Sequence, residues 1–267
     1  MTFPVLIPLG SLRLHPHLVF ESLAYLVGFR SFLALKRRRG DPISEGVRMS
    51  VVAGAAVGAA LGSKVVYWMQ QPSLTLAHLA DPLFLLGGKS IVGGLLGGLI
   101  GVEIAKRLSG ETRSTGDLFV LPLCLGMAIG RIGCFLSGLP DHTYGVATSL
   151  PWGVDFGDGL RRHPTQLYEI AWLGLVAVWA ERRRSALMRP GDLFRGFMVL
   201  YLGFRLCVEL IKPDPGEYLG LTGIQVAALL GLLYYARDIP RVFLSTPHPS
   251  LSSTPHPIPP HVGGGDR

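Results

Sequence analysis

The stretch Asp117-Leu118-Phe119-Val120-Leu121-Pro122-Leu123-Cys124-Leu125-Gly126-Met127-Ala128-Ile129-Gly130-Arg131-Ile132-Gly133-Cys134-Phe135-Leu136 decides the class of this chain. An α-helix needs about 20 largely apolar residues to cross a bilayer. Here only Asp117, at one end, and Arg131, near the other, carry charge. Six further stretches come close to the same standard: roughly 17–35, 48–68, 83–105, 166–181, 193–211 and 220–240. Together they predict an all-α integral membrane protein of about seven transmembrane helices.

Composition agrees with that reading. Apolar residues make up 49% of the chain and charged residues 16%, and the mean hydropathy is +0.40. So few ionisable groups cannot solvate a 267-residue globule. The formal charge of +7 does not indicate nucleic-acid binding, because the basic residues cluster between apolar runs instead of covering one face of a polar domain. They fall in every second loop: Lys36 to Arg39; Lys106, Arg107 and Arg113; Arg182 to Arg184 and Arg189. Segment 69–82 has no Lys or Arg. By the positive-inside rule the N-terminus lies outside and the C-terminus inside, and the long polar segment 137–165 faces outward. With only Arg13 ahead of the first apolar run and no small-residue cleavage pattern, that helix is expected to be retained.

Residues 1–242 therefore form the transmembrane domain. From 243 to 267 the chain repeats Ser-Thr-Pro-His-Pro (245–249 and 253–257), a composition that cannot bury a core and predicts a disordered cytoplasmic tail. Glycines 54, 58 and 62, and again 93, 97 and 101, recur every four residues, so each set makes a smooth helix stripe suited to close helix packing. Cys124, Cys134 and Cys207 are odd in number and widely spaced, which indicates neither a disulfide framework nor a zinc knuckle.

Charge at the centre of a bilayer costs about 3 kcal/mol or more per group, so each intramembrane charge needs a partner, a watery cavity or an anionic ligand. Tyr201, Arg205 and Glu209 are four apart and share a helix face, either as a structural Arg205–Glu209 pair or as a functional arginine turned into the bundle. Arg131, Cys134 and Gly138 share another face near the outer boundary, from which Arg131 could also snorkel to water. Glu103 and Lys89 sit at the ends of their span and read as structural. Buried arginines in excess of carboxylates suit a phospholipid phosphate, which guanidinium grips bidentately. The outer segment adds Arg161-Arg162-His163-Pro164-Thr165-Gln166-Leu167-Tyr168-Glu169, where His163 is either a base or phosphate ligand or a helix-capping structural residue.

At these residues the chain resembles the prolipoprotein diacylglyceryl transferases, which in bacteria move a diacylglyceryl group from phosphatidylglycerol to the lipobox cysteine thiol of a preprolipoprotein. The likeness runs from about residue 17 to 240 through Tyr25-Leu26-Val27-Gly28-Phe29, Gly93-Gly94-Leu95-Leu96-Gly97, Gly130-Arg131-Ile132-Gly133, Leu150-Pro151-Trp152-Gly153, Arg162 to Glu169, and Tyr201 with Phe204-Arg205. The resemblance implies a seven-helix inner-membrane enzyme with lateral openings for lipid and no metal or organic cofactor. It implies that Arg131 and Arg205 hold the lipid phosphate, with Tyr201 orienting Arg205 and His163 a further catalytic candidate. Arg162, Gly133, Cys134, Gly138, Gly145, Gln166 and Glu169 would contribute to substrate binding. The family's His before the Gly-Gly pair is here Val92, its Asn after Arg-x-Gly is Cys134, its next Asn and Glu fall at Ser137 and Leu139, and a Tyr of span one aligns with Glu21. Asp141-His142 appears as a local insertion. A thiol must be made nucleophilic, and with Val92 in place of His the outer side offers His163, His142 or Glu21 as substitutes. Cys134 beside Arg131 is either a nucleophile or a small apolar filler. These departures leave a second expectation open: a non-catalytic paralogue that binds anionic phospholipid as a scaffold.

Overall fold

A computed structural model describes residues 3–184, 189–214 and 216–244. A short hairpin, β1 (Ile7–Leu9) and β2 (Leu12–Leu14), pairs Ile7 with Leu14 and leads into α1 (Pro16–Arg39). Then come α2 (Glu45–Gln70), the short helices α3 (Pro72–Ala77) and α4 (Pro82–Leu86), α5 (Ile91–Leu108) and α6 (Val120–Ser137). A second small hairpin, β3 (Val154–Asp155) with β4 (Arg161–Arg162), precedes α7 (Thr165–Arg184). α8 (Asp192–Val208), α9 (Gly223–Tyr235) and α10 (Ile239–Leu244) complete the described chain.

The protein is mostly helical, and three segments are long and apolar enough to cross a membrane: Pro16–Arg39, Glu45–Gln70 and Asp117–Ser137. Their outer surfaces keep Leu18, Leu26, Phe29, Val57 and Leu61 exposed. In water such patches would drive association, whereas lipid solvates them. The core instead holds Val92, Val120, Leu173, Val176, Phe197, Met198, Tyr201 and Leu202, contributed by α5 to α8.

The third predicted span starts later than its apolar pattern suggests. Residues 83–86 belong to α4, and the chain breaks at Gly87 and Gly88 before α5 begins at Ile91. Gly88 has φ +56°, and a Cβ there would collide with the Tyr67 ring. The Lys64 ammonium donates to the carbonyls of Leu86, Gly87 and Gly88, so the break is held by a cation that supplies the missing donors. Ser90 then caps α5 by accepting from the Gly93 N–H. At the other boundary, α10 continues to Leu244, past the expected domain limit at 242, with Val242 buried and Phe243 stacked on Trp179. The rest of the expected tail lies outside the described residues.

The glycine stripes meet as the sequence suggests. A Cβ on Gly58 would lie 2.2 Å from the Gly97 carbonyl oxygen, one on Gly62 2.4 Å from that of Gly93, and one on Gly54 2.6 Å from that of Gly101. α2 and α5 thus touch backbone to backbone.

The two ends of the bundle differ in chemistry. The end that gathers the three basic clusters is tied by Arg39 to Glu181 at 2.9 Å, by Arg241 to Asp192 at 3.0 Å, and by Asp117, which accepts from the Gly191 and Phe194 N–H groups of the α8 start. Arg48, which the sequence reading passes over, is buried there: its fork donates to Asp41 at 2.8 and 2.5 Å while its plane faces Phe32 and Phe119. The opposite end gathers the start of α1, the end of α6, the start of α7 and the end of α8, and there the candidate site lies.

Candidate functional site

Glu169 organises the site. It sits one turn into α7, buried, and its Oε1 accepts from the Tyr201 hydroxyl at 2.7 Å. Its Oε2 is 3.1 Å from Arg205 Nη1 and 2.9 Å from Arg131 Nε. Three helices therefore deliver one carboxylate, two guanidiniums and a phenol to one point: α6 brings Arg131, α7 Glu169, and α8 both Tyr201 and Arg205. Arg205 also bonds Glu209 one turn on, and Lys212 Nζ approaches the same Glu209 oxygen at 3.5 Å. The expected Tyr201/Arg205/Glu209 face forms as predicted, and Arg131 turns inward instead of snorkelling.

The two arginines expected to be short of carboxylates have two in the fold, Glu169 and Glu209, while cations still outnumber carboxylates around them. Among the groups in direct contact, three cations (Arg131, Arg205, Lys212) face two carboxylates (Glu169, Glu209). The excess within this contact set is one positive charge, and Asp214 is the next carboxylate to act on Lys212. Two guanidiniums at one carboxylate repel each other, and Glu169 holds them close against that repulsion. Arg205 Nε is buried with no hydrogen-bond partner among the described residues, and Arg131 Nε, though near Glu169, is out of line for a good hydrogen bond. Both arginines retain donor capacity. A buried donor without a partner costs about 1–3 kcal/mol, so an anion that accepts from it is favoured by that amount.

The remaining predicted residues surround this cluster without all joining it. Gln166 is buried and donates to Thr143 Oγ1 at 3.0 Å, and Thr143 donates in turn to Asp141 Oδ2 at 2.7 Å. His163 Nδ1 lies 3.0 Å from the Tyr168 hydroxyl, which accepts from Trp152 Nε1 at 2.8 Å, so His163 belongs to a Trp-Tyr-His chain between the α6–α7 segment and the first turn of α7. Arg162 donates to Asp158 and stacks over Tyr144, and this pairing holds the exposed Asp158 carboxyl below its ordinary range. Gly145 donates its N–H to the His163 carbonyl at 2.8 Å, and a Cβ there would meet both His163 and the Ile211 carbonyl at 2.7 Å. Gly138 ends α6 at φ +71° against Phe3. Gly133 lets α1 press onto α6, since a Cβ there would meet Phe20 at 2.8 Å and the His17 Cα at 3.4 Å.

That last approach brings in a residue the sequence reading does not single out. His17 Nδ1 lies 2.9 Å from Asp141 Oδ1, and Cys134 Sγ, which Arg131 Nη1 approaches at 3.7 Å, shares the same corner. Burial would raise the Asp141 carboxyl, but the His17 and Thr143 contacts outweigh it and hold the group below its ordinary range. The only trace of His17 in the sequence is a histidine after Pro16 at the mouth of the first span, far from Cys134 along the chain. Among the other base candidates, Glu21 pairs with Lys89, and His142 is exposed in a left-handed turn at φ +51°. Val92, which the resemblance sets in the place of a histidine, is buried in the apolar core.

Comparison with known proteins shows the family of the chain. The prolipoprotein diacylglyceryl transferase family profile matches residues 4–240. The phosphatidylglycerol–prolipoprotein diacylglyceryl transferase of Bordetella parapertussis is 35% identical over 243 residues, covering 82% of this chain and 85% of its own length. The enzyme of the same description from Solidesulfovibrio magneticus is 34% identical, covering 86% and 89%, and that from Nitratidesulfovibrio vulgaris (Miyazaki F) 37% identical, covering 79% and 82%. With the match spanning every helix that builds the Glu169 cluster, the chain belongs to the prolipoprotein diacylglyceryl transferase family.

Proposed function

We propose that this protein transfers a diacylglyceryl group from phosphatidylglycerol to the cysteine thiol of a prolipoprotein, at the outer face of a bacterial inner membrane. The observation that carries the reading is the convergence of Arg131 and Arg205 on Glu169, with one surplus positive charge and buried N–H donors left over. A phosphodiester is the anion such a pair suits, and in a bilayer an anionic phospholipid is its abundant source. With the phosphate gripped, negative charge developing on the departing glycerol phosphate is stabilised by fixed guanidiniums that need no reorganisation. Tyr201 and Glu169 position the arginines. Gln166, buried one turn before Glu169 on α7, and the Arg162-His163 segment that leads into α7 flank the cluster.

The topology proposed is seven spans (α1, α2, α5 to α9), with the N-terminus and the site outside and the basic loops inside. Helices such as α9, at about 20 Å for 13 residues, are shorter than the hydrocarbon core, and their connecting turns at each end make up the distance.

Val92 favours a second reading, since a buried valine cannot accept a proton: the protein then binds the phospholipid as a scaffold without turnover. One experiment separates the two. Purified protein in detergent is given phosphatidylglycerol labelled in its acyl chains and a lipobox peptide, beside Arg205→Ala and Arg131→Ala. Transfer that disappears in both variants supports the enzyme. Bound lipid with no transfer in the wild type supports the scaffold, and full transfer by either variant overturns the placement of the phosphate site.

A further inference from the structure

We propose that His17, Cys134 and Asp141 form a binding site for a zinc-class divalent metal ion, and that this metal, bound beside the arginine cluster, activates the acceptor thiol. Their ligand atoms, one imidazole nitrogen, one thiol sulfur and one carboxylate oxygen, all lie within 4.8 Å of one another. Zinc takes such N, S and O donors at about 2.0–2.3 Å, so closing the set around an ion needs side-chain movements of about an ångström. The His17 Nδ1 atom is the second observation. It is buried and 2.9 Å from Asp141 Oδ1, yet it makes no hydrogen bond, which is the disposition of two ligands facing a common third body.

The surroundings complete what a metal site requires. A metal-bound histidine usually donates its other ring N–H to a carboxylate, and a ligating carboxylate is itself hydrogen-bonded. His17 Nε2 lies 3.5 Å from Glu21 Oε2, and Asp141 Oδ2 accepts from Thr143 at 2.7 Å. Gly133 lets the first turns of α1, with His17, lie this close to α6, since a Cβ there would meet Phe20 at 2.8 Å. The His17 side chain is 39% exposed, so a further ligand could reach an ion held by these three residues. Three protein ligands with one open position is the pattern of catalytic zinc, whereas structural sites close all four.

The role in the reaction rests on the transfer function proposed above. A thiol that coordinates zinc is deprotonated at neutral pH, so the metal can supply what a base at position 92 would. The acceptor thiol loses its proton to water at the outer face. Its sulfur forms the S–C bond to the glyceryl carbon while the C–O bond to phosphate breaks, and glycerol phosphate leaves with that electron pair. Arg131, within 3.7 Å of Cys134 Sγ, places the departing phosphate beside the attacking sulfur.

The test is titration of chelator-stripped full-length protein with Co2+, followed by the near-ultraviolet sulfur-to-cobalt charge-transfer band, beside the peptide-transfer assay with chelator and with added Zn2+. Expected are one Co2+ per chain, displacement by Zn2+, loss of the band in Cys134→Ser and in Cys134→Asn, and affinity lowered about tenfold or more in Glu21→Gln. Two cysteine variants, each checked for monodisperse elution, guard against a single misfolded one. No band, or a band that survives both, overturns the site, even if transfer is intact. A bound metal whose removal leaves transfer unchanged overturns the thiol-activating role. Metal binding by a protein that transfers under no condition overturns the transferase reading and leaves the site standing.

Discussion

Glu169 is the residue on which most depends, because it is the shared counter-ion of two buried guanidiniums. Glu169→Gln keeps the shape but leaves Arg131 and Arg205 facing each other, and breaking a buried pair in this way costs about 3–5 kcal/mol. We expect a clear fall in thermal stability in detergent, with Arg205→Ala milder because it leaves Glu169 still paired to Arg131; equal stability of Glu169→Gln and wild type would refute the role. Asp141 gives a pH prediction. Its carboxyl is held below the ordinary range, so its contribution is present above the usual carboxylate pKa and is lost only as pH falls through the depressed value. Unfolding followed against pH should show an acid-side loss that Asp141→Asn lacks. Arg131 and Arg205 are legible in the sequence because charge inside an apolar run demands a reason, and Tyr201 because it lies one turn from Arg205, whereas Glu169 enters only through the family resemblance and its role as their shared counter-ion emerges from the fold. His17 is not, since its partners come from α6 and the turn after it, and only the tertiary contact at Gly133 reveals them.

At the level of elements, apolar length and glycine spacing carry most of the information. The α2–α5 pairing follows from two stripes at four-residue spacing, and the structure joins them so tightly that Gly58→Ala places a methyl 2.2 Å from the Gly97 carbonyl oxygen. Overpacking of this kind costs about 1–3 kcal/mol. Gly58→Ala should lower the melting temperature measurably, while Gly174→Ala, which has open space around it, should not. The start of α5 is where pattern reading fails. Residues 83–86 are as apolar as a span, yet a left-handed Gly88 and the Lys64 ammonium beneath it end the helix there. Lys64 looks in the sequence like one more charge in a span, and its work as a cap for three carbonyls is visible only when the two segments meet.

The whole molecule has one basic end and one end bearing the site, and this polarity sets the topology prediction. Single cysteines placed at Ser73 and Ser109, in a background with the native cysteines replaced, should differ: a membrane-impermeant maleimide added to intact cells should label the first and not the second. The reverse pattern would invert the proposed orientation and put the site inside.

The three-helix origin of the Glu169 cluster also bears on how the protein is made. α2 and α5 can zip together through their glycines as soon as both have left the ribosome. Arg131 follows in α6, and its carboxylate arrives 38 residues later in α7. During that interval a lone guanidinium waits near the membrane surface, where water and lipid phosphates can hold it. The final seating of α6 is therefore expected to wait for α7 to deliver Glu169.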